Sequence, residues 1–335
     1  MIYDIHVHIW GTGSRHGDNT ILKSYRASKT YAKVLQKLAF PPDAGDWYEF
    51  DESYMEKVLG YLKTSVVNRA VLLGMDFAYL RDSTRDIDHS LISAGHDYLC
   101  EVAASNEKLL FAGSVHPYRP DALQELEAII KHGACLVHWL PVAQNIRADD
   151  PICFPYYEML AHYKVPLLCH CGGEDSLRMY SDELGNPKLL IPALERGVTV
   201  IAGHCGTQFK FGGLNYFEAW KEMALKYEHF YGDLSSFYTL ARLWPLGTMI
   251  ETPELESKLL FGSDFPYWEV PWPLAGQLGY CEVKDLQAMT NPFDQAVQTL
   301  RSFGVPEDVF SRAETVLRIL PKTIVSTPKN EAPKQ

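Results

Sequence analysis

Pro166-Leu167-Leu168-Cys169-His170, then Asn186 to Arg196, then Val198-Thr199-Val200-Ile201-Ala202-Gly203-His204 give a short apolar run, a segment of helical pattern and a second apolar run. Both runs end on a histidine. Pro187 falls at the first turn of the middle segment and Gly197 at its stop, the usual asymmetry of a helix start and end. Two strand-like runs joined through a helix imply parallel pairing by a crossover. The same unit recurs on either side. Strand-length runs stand at Ala70-Val71-Leu72-Leu73, Leu110 to Val115, Cys135-Leu136-Val137-His138-Trp139, Phe230 to Leu234 and Lys258 to Asp264, and a first run surrounds Ile5 and Val7. Between them the clearest helix is Asp121 to Lys131, where Leu123, Leu126, Ile129 and Ile130 share a face behind a Pro120-Asp121 start. Eight such units predict an α/β fold closed as a (β/α)8 barrel. An open doubly wound sheet would carry a glycine-rich phosphate turn after an early strand, and none follows the first run.

At 335 residues the chain fits one large barrel domain over residues 1–322, since such barrels commonly run past ~250 residues. Residues 10 to about 55 read as a long loop after strand one, with one or two short helices, interrupted by Pro41-Pro42. Residues 284 to 320 read as helices that close the barrel, with a break at Phe303-Gly304-Val305-Pro306. Residues 323–335, polar and with two prolines, are expected to be a disordered tail.

Hydrophobic residues make up 47% and charged residues 22% of the chain, which is enough apolar material for a full core. A net charge of -11 argues against nucleic acid or an anionic membrane as partner, because both require a basic surface. A small-molecule substrate, with or without a homo-oligomer, fits better. The start lacks a signal-peptide pattern and no apolar run approaches ~18 residues, so a soluble cytoplasmic protein is expected. Seven scattered cysteines read as reduced thiols.

In a barrel of this kind the C-terminal ends of the strands build the active site. The polar residues there are His6 and His8 on strand one, His116 past strand three, His138 on strand four, His170 on strand five, His204 on strand six, Asp233 on strand seven and Asp264 on strand eight. Six of the twelve histidines thus gather at five strand ends. His6 and His8, two apart, aim at one point if the strand is regular. Imidazoles with a carboxylate suit Zn2+ and related first-row ions, so His6, His8, His170 and Asp264 are the ligand candidates. Asp264 is also placed to take a proton from water, and His204 to polarise a carbonyl or protonate a leaving group.

Other residues carry weaker expectations. Asp4 is expected on the face of His6 and His8, either orienting an imidazole or holding a backbone amide. Alternation turns Cys169, Cys171 and Cys205 toward the helices as packing residues. Trp10, Trp139, Glu174, Arg178 and Trp268 are the substrate-contact candidates, Phe209 and Tyr267 extend the aromatic set, and Arg147 is a second possible carboxylate clamp.

The stretches Asp4-Ile5-His6-Val7-His8, Leu167-Leu168-Cys169-His170-Cys171-Gly172, Ile201-Ala202-Gly203-His204-Cys205-Gly206 and Leu260-Phe261-Gly262-Ser263-Asp264-Phe265-Pro266 resemble, in this order, the amidohydrolase superfamily. Within it they are similar to the amidohydrolase 2 branch of metal-dependent enzymes, which includes decarboxylases of aminocarboxymuconate semialdehyde and γ-resorcylate. The resemblance implies a TIM barrel with a metal on His6, His8, His170 and Asp264, and His204 as an acid or polarising group. Relatives often carry lysine or glutamate at the end of strand four, able to bridge two metals. This chain has His138-Trp139-Leu140-Pro141 where similar chains read Lys-Trp-Leu-Pro. One divalent metal, Zn2+ first, is therefore expected, with His138 as an extra ligand or substrate contact. The activity implied is hydrolysis of an amide, lactone or ester by activated water. The alternative is non-oxidative decarboxylation of an aromatic or unsaturated acid, and a non-catalytic metal-binding barrel is the third reading.

Overall fold

Side chains two apart along each apolar run enter one of two cores, one inside a ring of strands and one between that ring and its helices. The computed structural model describes residues 1–13, 19–174, 176–208, 212 and 214–320. The expected tail and Phe209 lie outside the described residues. The strands are β1 (Tyr3–His8), β2 (Arg69–Leu73), β3 (Leu109–Gly113), β4 (Leu136–Trp139), β5 (Leu167–His170), β6 (Val200–Gly203), β7 (Phe230–Asp233) and β8 (Leu259–Leu260). They form one eight-stranded parallel sheet in sequence order. Its ends meet through Ile5 N–H to Phe261 O (3.1 Å) and His8 N–H to Phe265 O (2.8 Å), which brings the sheet round into a barrel. The eight runs read from the sequence are the eight strands found.

Ile5, Val71, Leu110, Leu136, Leu168, Ile201 and Leu260 fill the interior. Their neighbours Val137, Trp139, Leu167, Cys169, Val200 and Leu259 pack outward against the helices. β1 departs from plain alternation. Its register against β2 steps from Asp4↔Ala70 to Val7↔Leu72, three residues against two, which marks a bulge. Asp4 is therefore not simply one more residue on the histidine face. Its Oδ1 accepts the backbone N–H groups of His6 (3.1 Å) and Ser263 (2.9 Å) and ties β1 to the end of β8.

The segment after β1 contains helix α1 (Lys29–Lys37), N-capped by the Ser28 side chain, and leads into α2 (Phe50–Thr64). A two-stranded pairing of Thr20–Ile21 with Ile92–Ser93 fastens it to the loop after β2. Helix α3 (Ala122–Lys131) buries Leu126, Ile129 and Ile130 as expected, each worth about 2 kcal/mol of apolar transfer. Leu123, expected on that face, is 40% exposed. The helix expected over 186–196 is split into a 3-10 turn, Pro187–Leu190, and a short helix, α4 (Ile191–Glu195). Pro192 lacks the N–H that would continue the helix across that point. Helix α5 (Phe217–Lys226) follows β6, and Pro292–Ser302, Glu307–Ser311 and Ala313–Val316 close the fold with the anticipated break at Phe303–Pro306. All seven cysteines are free thiols. Cys169, Cys171 and Cys205 lie in the outer core. Among the described residues no helix is long and apolar enough to cross a membrane.

Candidate active site

The strands deliver their polar ends to one place. Nitrogens of His6, His8 and His170 all lie within 4.8 Å of one another. Asp264 Oδ1 stands 3.3 Å from His8 Nε2 and 3.7 Å from His6 Nε2. His6 and His170 face each other Nε2 to Nε2 at 2.9 Å, a hydrogen-bond distance that needs a proton on one of the two nitrogens. Glycine makes the room for this. A Cβ at Gly262 would stand 2.6 Å from His6 Cβ. His204 and Asp264 sit at left-handed φ values of 59° and 61°. Such backbone is costly for non-glycine residues and turns both side chains off their strands at the rim.

Partners fix which nitrogen each ring presents. His6 Nδ1 lies 2.8 Å from Asp233 Oδ2, which leaves Nε2 for the centre, as a carboxylate does for a metal-bound histidine. Asp233 Oδ1 accepts the N–H of His204 (2.9 Å), the N–H of Ser235 (3.1 Å) and the Ser235 hydroxyl. His204 Nδ1 donates to Ser235 O at 3.0 Å, and His138 Nδ1 donates to Gly74 O at 2.7 Å. The Ser236 hydroxyl donates to Asp264 Oδ2, leaving Oδ1 turned to the histidines.

Burial pushes His138 and His170 well below the ordinary histidine range, helped by neighbouring imidazoles. Burial, with Arg242 next, lowers His204 to about 3. These rings are neutral at neutral pH, the form that binds metal or accepts a proton. For His6 burial acts downward, but Asp233 outweighs it and the value rises. Burial opposes ionisation of Asp233 and Asp264 too, yet His6 on the first and His8 with His6 on the second hold both below the usual carboxylate range. Three convergent ring nitrogens, a flanking carboxylate oxygen and carboxylate-backed His6 are a donor set that fits a first-row divalent ion.

Above this cluster opens a cavity of about 260 Å³ whose floor is His8, His170, His204 and Asp264. Ile9, Trp10, Met75 and Leu140 supply apolar wall, Glu174, Tyr238, Arg242 and Tyr267 polar wall, and Lys29, Lys33 and Lys37 of α1 face it from the insertion.

A family profile described as Amidohydrolase matches residues 3–300. The chain belongs to the amidohydrolase family. A search of curated proteins finds no match. Among solved structures, 5-carboxyvanillate decarboxylase of Sphingomonas paucimobilis is similar at 13% identity, over 95% of this chain and 99% of that one, with a TM-score of 0.57. A candidate 2-pyrone-4,6-dicarboxylic acid hydrolase of Pseudomonas putida is similar at 16% identity, over 94% of each chain, with a TM-score of 0.55. A 5-carboxyvanillate decarboxylase of Novosphingobium aromaticivorans, in a mutant form with bound manganese and a nitrobenzoic acid, matches at 13% identity over 88% of this chain and 94% of that one, with a TM-score of 0.50.

Within this amidohydrolase barrel, His6, His8, His138, His170, His204 and Asp264 are brought together, and Trp10, Glu174 and Tyr267 line the cavity. Other expected contacts are elsewhere. Trp139 is turned outward because His138 before it points inward; its Nε1–H donates to Val115 O (3.0 Å) and its ring packs on Tyr156 and Tyr157. Trp268 is buried edge-on against Tyr238, and neither tryptophan borders the cavity. Arg178 is exposed and away from the cavity, and exposed Arg147 pairs with Asp149 at 2.9 Å. His116 is consumed by structure: its Nε2 meets Gln144 O at 2.6 Å and its Nδ1 accepts the Tyr118 N–H at 3.0 Å.

Two residues carry more than their sequence showed. Asp233 was visible only as a polar strand end, while its double hold on His6 and His204 needed the fold. Arg242, in the short helix Leu240–Leu243 after β7, had no local signal. Fully buried, it donates to Thr207 O (3.0 Å), Thr207 Oγ1 (3.1 Å) and Gly173 O (3.1 Å), joining the loops after β5 and β6 beside Glu174.

Proposed function

We propose that this amidohydrolase is a metal-dependent hydrolase that opens an amide, lactone or ester bond of a small molecule with an activated water. The observation that carries the reading is the convergence of His6, His8 and His170 nitrogens within 4.8 Å on the floor of a cavity that also presents Asp264 and His204. His6, His8, His170 and Asp264 would hold one divalent ion, with Zn2+ the first to test. When bound, such an ion polarises a carbonyl and lowers the pKa of water from ~15.7 toward ~7. The bound manganese in the Novosphingobium decarboxylase is consistent with a metal in this fold.

The chain's own residues do the rest. Asp264, ionised and steadied by Ser236, accepts the proton of the attacking water. His204, neutral with its Nδ1 proton on Ser235 O, presents its Nε2 lone pair to the cavity; it takes up a proton there and then gives it to the leaving group, acting as base first and acid second. Asp233 keeps both His6 and the His204 backbone in place. The apolar wall, with Trp10 stacked on Tyr31 at 5.4 Å, excludes water from the substrate body, and Glu174 stands as a polar contact.

A second reading, non-oxidative decarboxylation of an aromatic or unsaturated acid, is favoured by Arg242, Lys29 and Lys37 in the lining of the same cavity, which suit a carboxylate, while Lys33 is paired with Glu269 at 2.7 Å and Glu174 and Asp264 also line it. Incubation of metal-loaded protein with lactones, amides and aromatic acids separates the two. Ring opening or amine release is expected. Release of CO2 without hydrolysis overturns the hydrolase in favour of the lyase.

A further inference from the structure

His138 is wholly buried, and its ring orientation is set. A carbonyl oxygen only accepts, so the 2.7 Å contact with Gly74 O puts the proton on Nδ1 and the lone pair on Nε2. That Nε2 is buried without a hydrogen-bond partner among the described residues. A buried nitrogen left unsatisfied costs about 1–3 kcal/mol, and a neutral imidazole lone pair is relieved by a proton donor, water included, or by a metal ion.

The surroundings of Nε2 favour the metal. His138 does not border the cavity, whose floor is made by His8, His170, His204 and Asp264, so a substrate lies on the far side of those residues. Below the floor its ring keeps company with imidazoles, 5.2 Å from His170, 6.0 Å from His8 and 6.4 Å from His6 between ring centres. The three other pairs stand at 5.0, 4.7 and 5.7 Å. A ring nitrogen bonds a first-row ion at about 2.1 Å and the ring centre lies roughly 1.1 Å farther out, so two rings on one ion have centres about 4.5–6.5 Å apart. All six separations fall in that interval, with His138 almost opposite His6. The compact group of nitrogens contains His6, His8 and His170. His138 lies outside that group, so at least one of its nitrogen separations exceeds 4.8 Å, more than the roughly 4.2 Å that two donors on one ion allow, and ligation requires the ring to move inward.

We infer that His138 is a fifth protein ligand, through Nε2, of the ion held by His6, His8, His170 and Asp264. This assignment rests on the metal reading of the site given above. It gives the centre four imidazoles and one carboxylate, a donor count suited to an ion that accepts five or six ligands.

The test uses the full chain stripped of metal. X-ray absorption of the wild type carrying one equivalent of Zn2+ counts imidazoles directly, and four are expected. Competition with a chromophoric chelator gives the Co2+ affinity of the wild type and of His138→Gln, whose amide can still donate to Gly74 O. The variant is expected to bind Co2+ at least about tenfold more weakly, the lower bound for disturbing a ligand's support. Three imidazoles in the wild type, or an unchanged Co2+ affinity in a folded variant, overturns the assignment while leaving the metal site intact. A wild type that binds neither ion overturns the metal reading itself. If His138→Gln does not fold, the wild-type imidazole count decides alone.

Discussion

Just past β3, His116 is fully buried, and one strand further on His138 is fully buried too. The first has both ring nitrogens paired, to Gln144 O and the Tyr118 N–H, while Asp76 accepts its backbone N–H at 2.8 Å. The second has one nitrogen on Gly74 O and the other, beside three imidazoles, without a hydrogen-bond partner among the described residues. Burial and position at a strand end are common to both. The difference is the fate of the second nitrogen, and it divides a knot that fastens loops from the group proposed as a metal ligand. His6 and His204 follow the His138 pattern, each held through Nδ1 by Asp233 or Ser235 with Nε2 left to the centre.

The largest effect is expected where that pattern is broken outright. His6→Ala or Asp264→Asn should empty the site of metal and lower turnover by about a thousandfold or more, read by elemental analysis and initial rates. Full metal and full activity in both variants would refute the assignment. Asp233→Asn keeps the shape but weakens the hold on His6, so metal affinity should fall about 10–100-fold. An affinity equal to wild type would show that the His6 contact is packing alone.

Asp4 sharpens the contrast among carboxylates. Like Asp233 it accepts two backbone N–H groups, but unlike Asp233 it hydrogen-bonds no imidazole; among the described residues its Oδ2 is buried without a hydrogen-bond partner, and burial raises its pKa to about 6. In metal-free protein, between roughly pH 4 and 6, the folded chain keeps a proton that the unfolded chain has released. The contribution of Asp4 to stability therefore falls as pH rises through that window, opposite in sign to that of the buried neutral histidines, and is level above it, by on the order of 3 kcal/mol. Urea unfolding of Asp4→Asn across pH 4–7 should lose this slope, and an identical slope in both proteins would exclude Asp4 as its source. The smallest effect belongs to the saturated histidine. His116→Gln should cost about 1–3 kcal/mol in stability and leave the bound metal unchanged. Loss of metal in that variant would erase the distinction between the two histidines.

Much of the rim was legible because strand and helix periods leave their mark within a few residues. The strand-five and strand-six runs with a helical segment between them place His170 and His204 on neighbouring strands without any structure. Misreadings began where a local rule met a long-range constraint. The β1 bulge altered the plain alternation that had set Asp4 on the face of His6 and His8. Trp139 read as a rim aromatic, although an inward His138 sends it outward. Pro192 divided a segment whose capping signals had looked like those of one helix.

By itself the sequence determined eight parallel strands, their order and the residue types at their ends, since periodicity and crossover handedness are local and leave little choice. Only the tertiary structure decided which nitrogen of each histidine is spent and which is free. Those partners come from far along the chain: Asp233 reaches His6 across 227 residues, and Gly74 reaches His138 across 64. No pattern of neighbours in sequence encodes a hydrogen bond made only when the barrel closes.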